Sequence, residues 1–348
     1  MTSSSVPKVK FSNIKRSLWF LLPVVILGLA VHLILPQFAS LQNSLFVIKN
    51  LVWWAFALAF LAQIASYLSS GYLLTALAEL SKSYLSILGG TVITLAGASF
   101  GMVAGGMVGS SAATYRWMKK KKVSSETATL AGSIPALFND IVLVFVSIIG
   151  VIHLLVVHQL TRLQGTSFAA VLIVLVGLIG FTAWGLTKRE PLLRFANRMG
   201  NWWAKIRGRE FNAQKVENWL SRLFTAASLL FSGGWSAAML GAVLNVAFDM
   251  LTLFFLFMAA GHPVSLGVLL TGYGLPLLLG KMAFFIPGGV GIIESTMTAL
   301  YVSLGIAHPE AVVVVLAYRI LSFWLPLVLG FPMIWVLEQK IFRTHQPK

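Results

Sequence analysis

Long apolar runs separated by short clusters of Lys, Arg and Glu repeat along the whole chain. A membrane-spanning helix needs about 20 mainly apolar residues. The first such run covers roughly 17 to 36 behind Lys8, Lys10, Lys15 and Arg16. It predicts a retained signal anchor with the N-terminus inside, because basic loops stay on the cytoplasmic side. A second run, 50 to 77, returns inside at Glu79 to Lys82. Runs at 127 to 156 and 167 to 187 go out and back, and the stretch 233 to 260 crosses outward. The last, Glu310 to Leu337, ends at Lys340 and Arg343, which again places the terminus inside. The pattern predicts an all-α polytopic protein of the cytoplasmic membrane, with about six full spans.

Two apolar stretches do not read as simple crossings. Tyr84 to Tyr115 has basic residues at both flanks, Lys82 on one side and Arg116 with Lys119 to Lys122 on the other. It is too short for two crossings, and its middle contains Gly101, Gly105, Gly106 and Gly109. A hairpin entering and leaving from one side fits that length, with the glycines turning the chain. Pro263 to Leu304 begins and ends outside under the same loop assignment, and is broken at Pro287-Gly288-Gly289-Val290-Gly291. A second re-entrant hairpin is expected there, although two full crossings would also fit. Backbone that leaves the helix at membrane depth is tolerated only where protein or a water-filled cavity receives its polar groups. The break therefore marks a candidate site.

The two hairpins sit in units of the same order: span, glycine-broken hairpin, span. The first unit, 50–156, starts outside and the second, 233–338, starts inside, which makes an inverted repeat of the kind typical of secondary transporters. Between them lies 188–232, with nine Lys or Arg against three Glu over 188–222. Trp202 and Trp203, and the helical spacing of Val216, Trp219, Leu220 and Leu223, predict a segment lying along the inner membrane surface.

Composition agrees with a single membrane domain: 58% of residues are hydrophobic, 10% are charged, and the mean hydropathy is +0.86. The absence of cysteine excludes disulfides, thiolate metal sites and cysteine nucleophiles. A net charge of +16 sits mostly in the gaps between apolar runs, where it meets anionic lipid rather than nucleic acid. The histidines lack metal-ligand spacing, and no cofactor motif is present; Gly274 to Lys281 misses phosphate-loop spacing.

Pro287-Gly288-Gly289-Val290-Gly291 with Glu294, then Tyr318-Arg319, Phe323-Trp324-Leu325-Pro326 and Gly330, resembles the lysylphosphatidylglycerol synthase transmembrane family, also called flippase-like domain proteins. Gly105-Gly106, Tyr115-Arg116, the lysines and Val123 look like the earlier motif of that family. The resemblance runs from about residue 15 to 340. It implies lipid translocation, with a phospholipid, an aminoacylated lipid or another amphiphile as substrate. The synthases carry a soluble aminoacyl-transferase domain after the membrane part, whereas this chain stops at Lys348, so lipid aminoacylation is not expected of it. Ile134-Pro135-Ala136 stands where relatives often have a Glu-Arg pair. Protein partners consistent with the resemblance are a second copy of the chain and a separate lipid-modifying enzyme.

Ionisable residues inside spans are costly and usually functional. Glu294, one turn after Gly291, is a candidate for a cationic headgroup or a proton. Arg319 is a candidate for a lipid phosphate, held by two parallel hydrogen bonds. The plainer alternative pairs the two as a structural bridge. Free amides around Gly288, Gly289 and Gly291 offer a phosphate seat at a half-helix start, as do those of Gly105, Gly106 and Gly109. Arg116 joins the substrate set through the family motif. Asp140, Asp249 and Lys281 are candidates for coupling, or for partnering one another. Two other readings remain: an enzyme acting on a lipid-linked substrate, and a small-solute secondary transporter.

Overall fold

The computed structural model describes residues 49–342, apart from 81, 105, 157–160, 188, 207–212, 215–216, 218–220, 222–234 and 283–286. The expected first span, 17–36, the expected turn residue Gly105 and most of 207–234 lie outside the described residues. Among the described residues the chain is all helical. Helix α1 is Trp53–Glu79, α2 Ile87–Val103, α3 Met107–Lys120, α4 Ser125–Val156, α5 Arg162–Thr187 and α6 Arg189–Ile206. After these come α7 Trp235–Ala259, α8 Leu266–Met282, a 3-10 turn Pro287–Gly289, α9 Ile292–Ser303 and α10 His308–Arg319. A π-helical stretch, Ile320–Trp324, joins α10 to α11, Leu325–Phe342. Among the described residues four stretches are long and apolar enough to cross a membrane: Trp53–Glu79, Ser125–His153, Trp235–Ala259 and His308–Glu338.

Why α1 and α7 pack closely can be read from their small residues. Ala55, Ala59, Ala62, Ser66 and Ser69 recur every three or four positions on α1 and are all buried. Buried Ala238, Gly241 and Ala242 lie on α7. Small side chains let backbones approach where lipid provides no hydrophobic drive for association. The two helices run antiparallel: Val52 N–H donates to Ala259 O, Ser66 bonds Asn245, and a Cβ on Gly241 would meet the Leu73 Cα at 2.9 Å. Ser66 and Asn245 exchange bonds both ways, with Asn245 Nδ2 donating to Ser66 O at 3.0 Å and Ser66 Oγ to Asn245 O at 3.1 Å.

Each glycine-broken stretch forms two helices that pack on one another, α2 on α3 and α8 on α9. Their first arms then pack against the closing helix of the other unit, α2 on α11 and α8 on α4. Glycine makes both contacts close. A Cβ on Gly330 of α11 would meet Leu95 O at 2.4 Å, and one on Gly150 of α4 would meet the Thr271 amide at 2.6 Å. Ser99 Oγ adds a bond to Leu327 O at 2.9 Å. Two apolar cores result. One gathers Leu253, Phe257, Tyr273, Met297, Tyr301 and Val314 around the second break. The other gathers Leu77, Ile93, Trp117, Met118, Leu130 and Ile334 beside the first.

The exposed side chains suit lipid. Trp53 and Trp54 are exposed at the start of α1, where aromatic residues mark the membrane interface, and Ile173, Val174 and Val176 are exposed on α5.

Candidate functional site

The break after α8 is built from glycines that no other residue replaces without strain. Gly288 has φ +68° and Gly291 φ +86°, both in the left-handed region. Gly288 also lies under the Phe323 ring, where a Cβ would come within 2.3 Å of it. This geometry starts α9 from Gly291.

At the start of α9 the free amides would attract an anion, since they carry the positive end of the helix dipole. The chain supplies its own. Glu294, in the first turn, folds back so that Gly291 N–H donates to its Oε2 at 2.6 Å. Its other oxygen accepts from Arg319 Nε at 2.6 Å. Arg319 Nη2 donates to Gly288 O at 2.9 Å, and the guanidinium lies 4.3 Å from the Phe323 ring centroid. Glu294 is 5% exposed and Arg319 4%. The guanidinium therefore ties α10 to the glycine break by a charged pair and a carbonyl.

The neighbouring Tyr318 serves a second carboxylate. Its hydroxyl donates to Asp249 Oδ2 at 2.6 Å, and Tyr273 donates to the same oxygen at 2.8 Å. Gln63 Nε2 donates to Asp249 Oδ1 at 3.0 Å, so α1, α7, α8 and α10 converge there. The π-helical stretch begins immediately after Arg319 and frees carbonyls from the regular ladder; Tyr67 of α1 donates to one of them, Leu321 O. Such stretches are frequent at functional sites.

The other candidates fall elsewhere. Lys281 pairs with Asp140, not with Asp249, because α8 and α4 run antiparallel with these residues opposite one another. Arg116 pairs with Glu338 of α11 at 2.8 Å on an exposed surface, joined by Lys120 and the Trp117 indole. Partial burial lowers the Lys120 ammonium below the usual lysine range, with Glu338 pulling the other way. Gly106, at φ +68°, turns the first hairpin, its N–H donating to Gly101 O at 2.6 Å. Gly105 lies outside the described residues. Gly289 packs closely on α8, where a Cβ on it would meet the Gly280 Cα at 3.0 Å. Among the described residues no group of acidic or histidine side chains has the makings of a metal site.

Sequence reasoning passed over Gln63 and Tyr67, and noticed Tyr318 only as part of a motif. A signal was available. Gln63, Ser66 and Tyr67 share one face of α1, and Asn245 and Asp249 share one face of α7, each at helical spacing inside an apolar run.

Residues 18–330 match the family described as the lysylphosphatidylglycerol synthase TM region. A 96-residue stretch is 34% identical to the UPF0104 membrane protein PH1989 of Pyrococcus horikoshii. That stretch covers 27% of this chain and 28% of the length of the relative.

Proposed function

The chain belongs to the lysylphosphatidylglycerol synthase TM region family, and from that membership and the buried Glu294–Arg319 pair we propose that it translocates a phospholipid across the cytoplasmic membrane. The family name makes an aminoacylated phosphatidylglycerol the first candidate substrate. The pair carries the reading: Arg319 and the Gly291 amide already hold one carboxylate oxygen each, as they would hold the oxygens of a lipid phosphate. Glu294 stands in for the headgroup. When a phosphate takes its place on Arg319, the released carboxylate is free to meet the ammonium of an aminoacylated headgroup. Gly288 and Gly291 let the backbone stay this close to the guanidinium, and Gly289 packs the break against α8.

Movement of a headgroup between leaflets needs a protein with two nearly equivalent packings, which an inverted repeat provides. Three observations support that architecture. The opening helices of the two units, α1 and α7, run antiparallel. Each hairpin's first arm packs on the other unit's closing helix. Both of those contacts are made at a glycine, Gly150 or Gly330. In this reading 84–115 and 263–304 dip into the bilayer from opposite faces, 189–206 lies on the inner surface, and Gly105, Gly106 and Arg116 belong to the inner mouth. Asp140 and Lys281 contribute to coupling only when their pair opens.

The test reconstitutes purified protein in liposomes with fluorescent lysylphosphatidylglycerol or phosphatidylglycerol and follows leaflet exposure by chemical quenching. Faster exchange of at least one of them than in protein-free liposomes is expected. Equal rates for both would overturn the proposal.

A further inference from the structure

Among the described residues Asp249 has no cation of its own. Its hydrogen-bond partners among the described residues, Gln63, Tyr273 and Tyr318, are neutral donors that are 1%, 2% and 1% exposed. An ionised carboxylate offers about four acceptor positions. Three donors leave one open. Beside it, Gln63 Oε1 is buried and accepts no hydrogen bond.

The charges around this cluster do not balance. On α1 the facing groups are Gln63 and Tyr67, and on α8 Tyr273, none of them charged at neutral pH. Asn245, one turn away on α7, is occupied by Ser66. On α10, Tyr318 is followed by Arg319, whose guanidinium is committed to Glu294 of α9. Asp140 of α4 and Lys281 of α8 satisfy each other. Among the described residues two carboxylates thus share one guanidinium, and one negative charge is left within helices that cross the membrane. Such a charge is expensive in hydrocarbon unless it is compensated.

From this we infer that Asp249 is a binding site for a monovalent cation, either a proton or a sodium ion. Tyr273 and Tyr318 hold Oδ2, which leaves the open position on Oδ1, and this with Gln63 Oε1 offers oxygen ligands of the hard kind that suits a small cation. Binding neutralises the cluster. The inference deepens the transport reading, on which it rests for its consequence: a cation that enters and leaves with each cycle would drive lipid movement. Because Tyr318 and Arg319 are adjacent on α10, occupancy of the cation site bears directly on the Glu294 pair.

The experiment measures the thermal unfolding midpoint of the purified full-length chain in neutral detergent, with no lipid transport involved. One series titrates sodium chloride against choline chloride at fixed ionic strength and pH 8. The other varies pH in choline chloride. A saturable rise with sodium assigns the site to sodium; no sodium effect, with a midpoint that falls as pH rises, assigns it to a proton. In either case Asp249→Asn is expected to weaken the response about tenfold or more, since only a ligand bound by the folded state stabilises it. Equal responses of both proteins, or a flat response of the wild type in both series, would overturn the site. Should the variant fail to fold, equilibrium binding of radioactive sodium to the wild type decides. Saturable binding that protons displace supports the site. No such binding, together with a flat pH series, contradicts it. Neither result bears on whether lipid is moved, so the two claims fail separately.

Discussion

Arg319 and Glu294 lie 25 residues apart on two helices and meet through a 2.6 Å bond from Nε to Oε1. The pair is buried, and removing one partner strands the other. Arg319→Gln is expected to destabilise the fold by about 3–5 kcal/mol. Removing both charges, with Glu294→Gln added, should recover most of that loss. Equilibrium unfolding in mixed micelles measures both, and a double variant no more stable than Arg319→Gln would show that the guanidinium matters for another reason.

The break distinguishes its glycines. Gly288→Ala has to place a methyl into the Phe323 ring as well as hold a left-handed φ, whereas Gly291→Ala faces open space. The second should cost about 1–2 kcal/mol for the backbone alone, and the first clearly more. Unfolding of the two alanine variants side by side checks the order, and a reversed order would contradict the placement of Phe323.

Much of this was legible in the sequence because rare residues report on rare environments. Proline and glycine inside an apolar run marked the break, and the scarcity of intramembrane charge singled out Glu294 and Arg319. Their pairing was one of two readings left open by the chain. Partnerships between distant helices were not legible. Asp249 and Gln63 are 186 residues apart, and nothing local to either says that α1 and α7 lie side by side. For the same reason Lys281 was equally plausible as the partner of Asp140 or Asp249 until the packing of α8 on α4 decided it. The carboxylate that Tyr273 and Tyr318 share was not legible either, because a hydroxyl's partner depends entirely on the neighbouring helix.

Ser66 and Asn245 bond in both directions across the α1–α7 contact. A double-mutant cycle with Ser66→Ala and Asn245→Ala is expected to give a coupling energy of about 0.6 kcal/mol, the average for hydrogen bonds between membrane helices, and no more than about 1.7 kcal/mol. Additive single effects would mean that the two helices do not meet there.

Glu338 makes more ionic contacts than Glu294 but makes them in solvent. Its partners Arg116 and Lys120 have side chains 58% and 29% exposed. Glu338→Gln should change stability by no more than about 1 kcal/mol, and that small effect should fade with salt. A loss comparable to that of Arg319→Gln would contradict the assignment of this cluster to the surface.

The most direct measurement compares lipid exchange between leaflets in proteoliposomes containing wild type, Arg319→Lys or Glu338→Gln. Lysine keeps the charge but loses the planar fork that holds a phosphate by two bonds. Arg319→Lys is expected to fold and to move lipid about tenfold more slowly, while Glu338→Gln matches wild type. Wild-type exchange by Arg319→Lys would contradict a headgroup site at the Glu294–Arg319 pair.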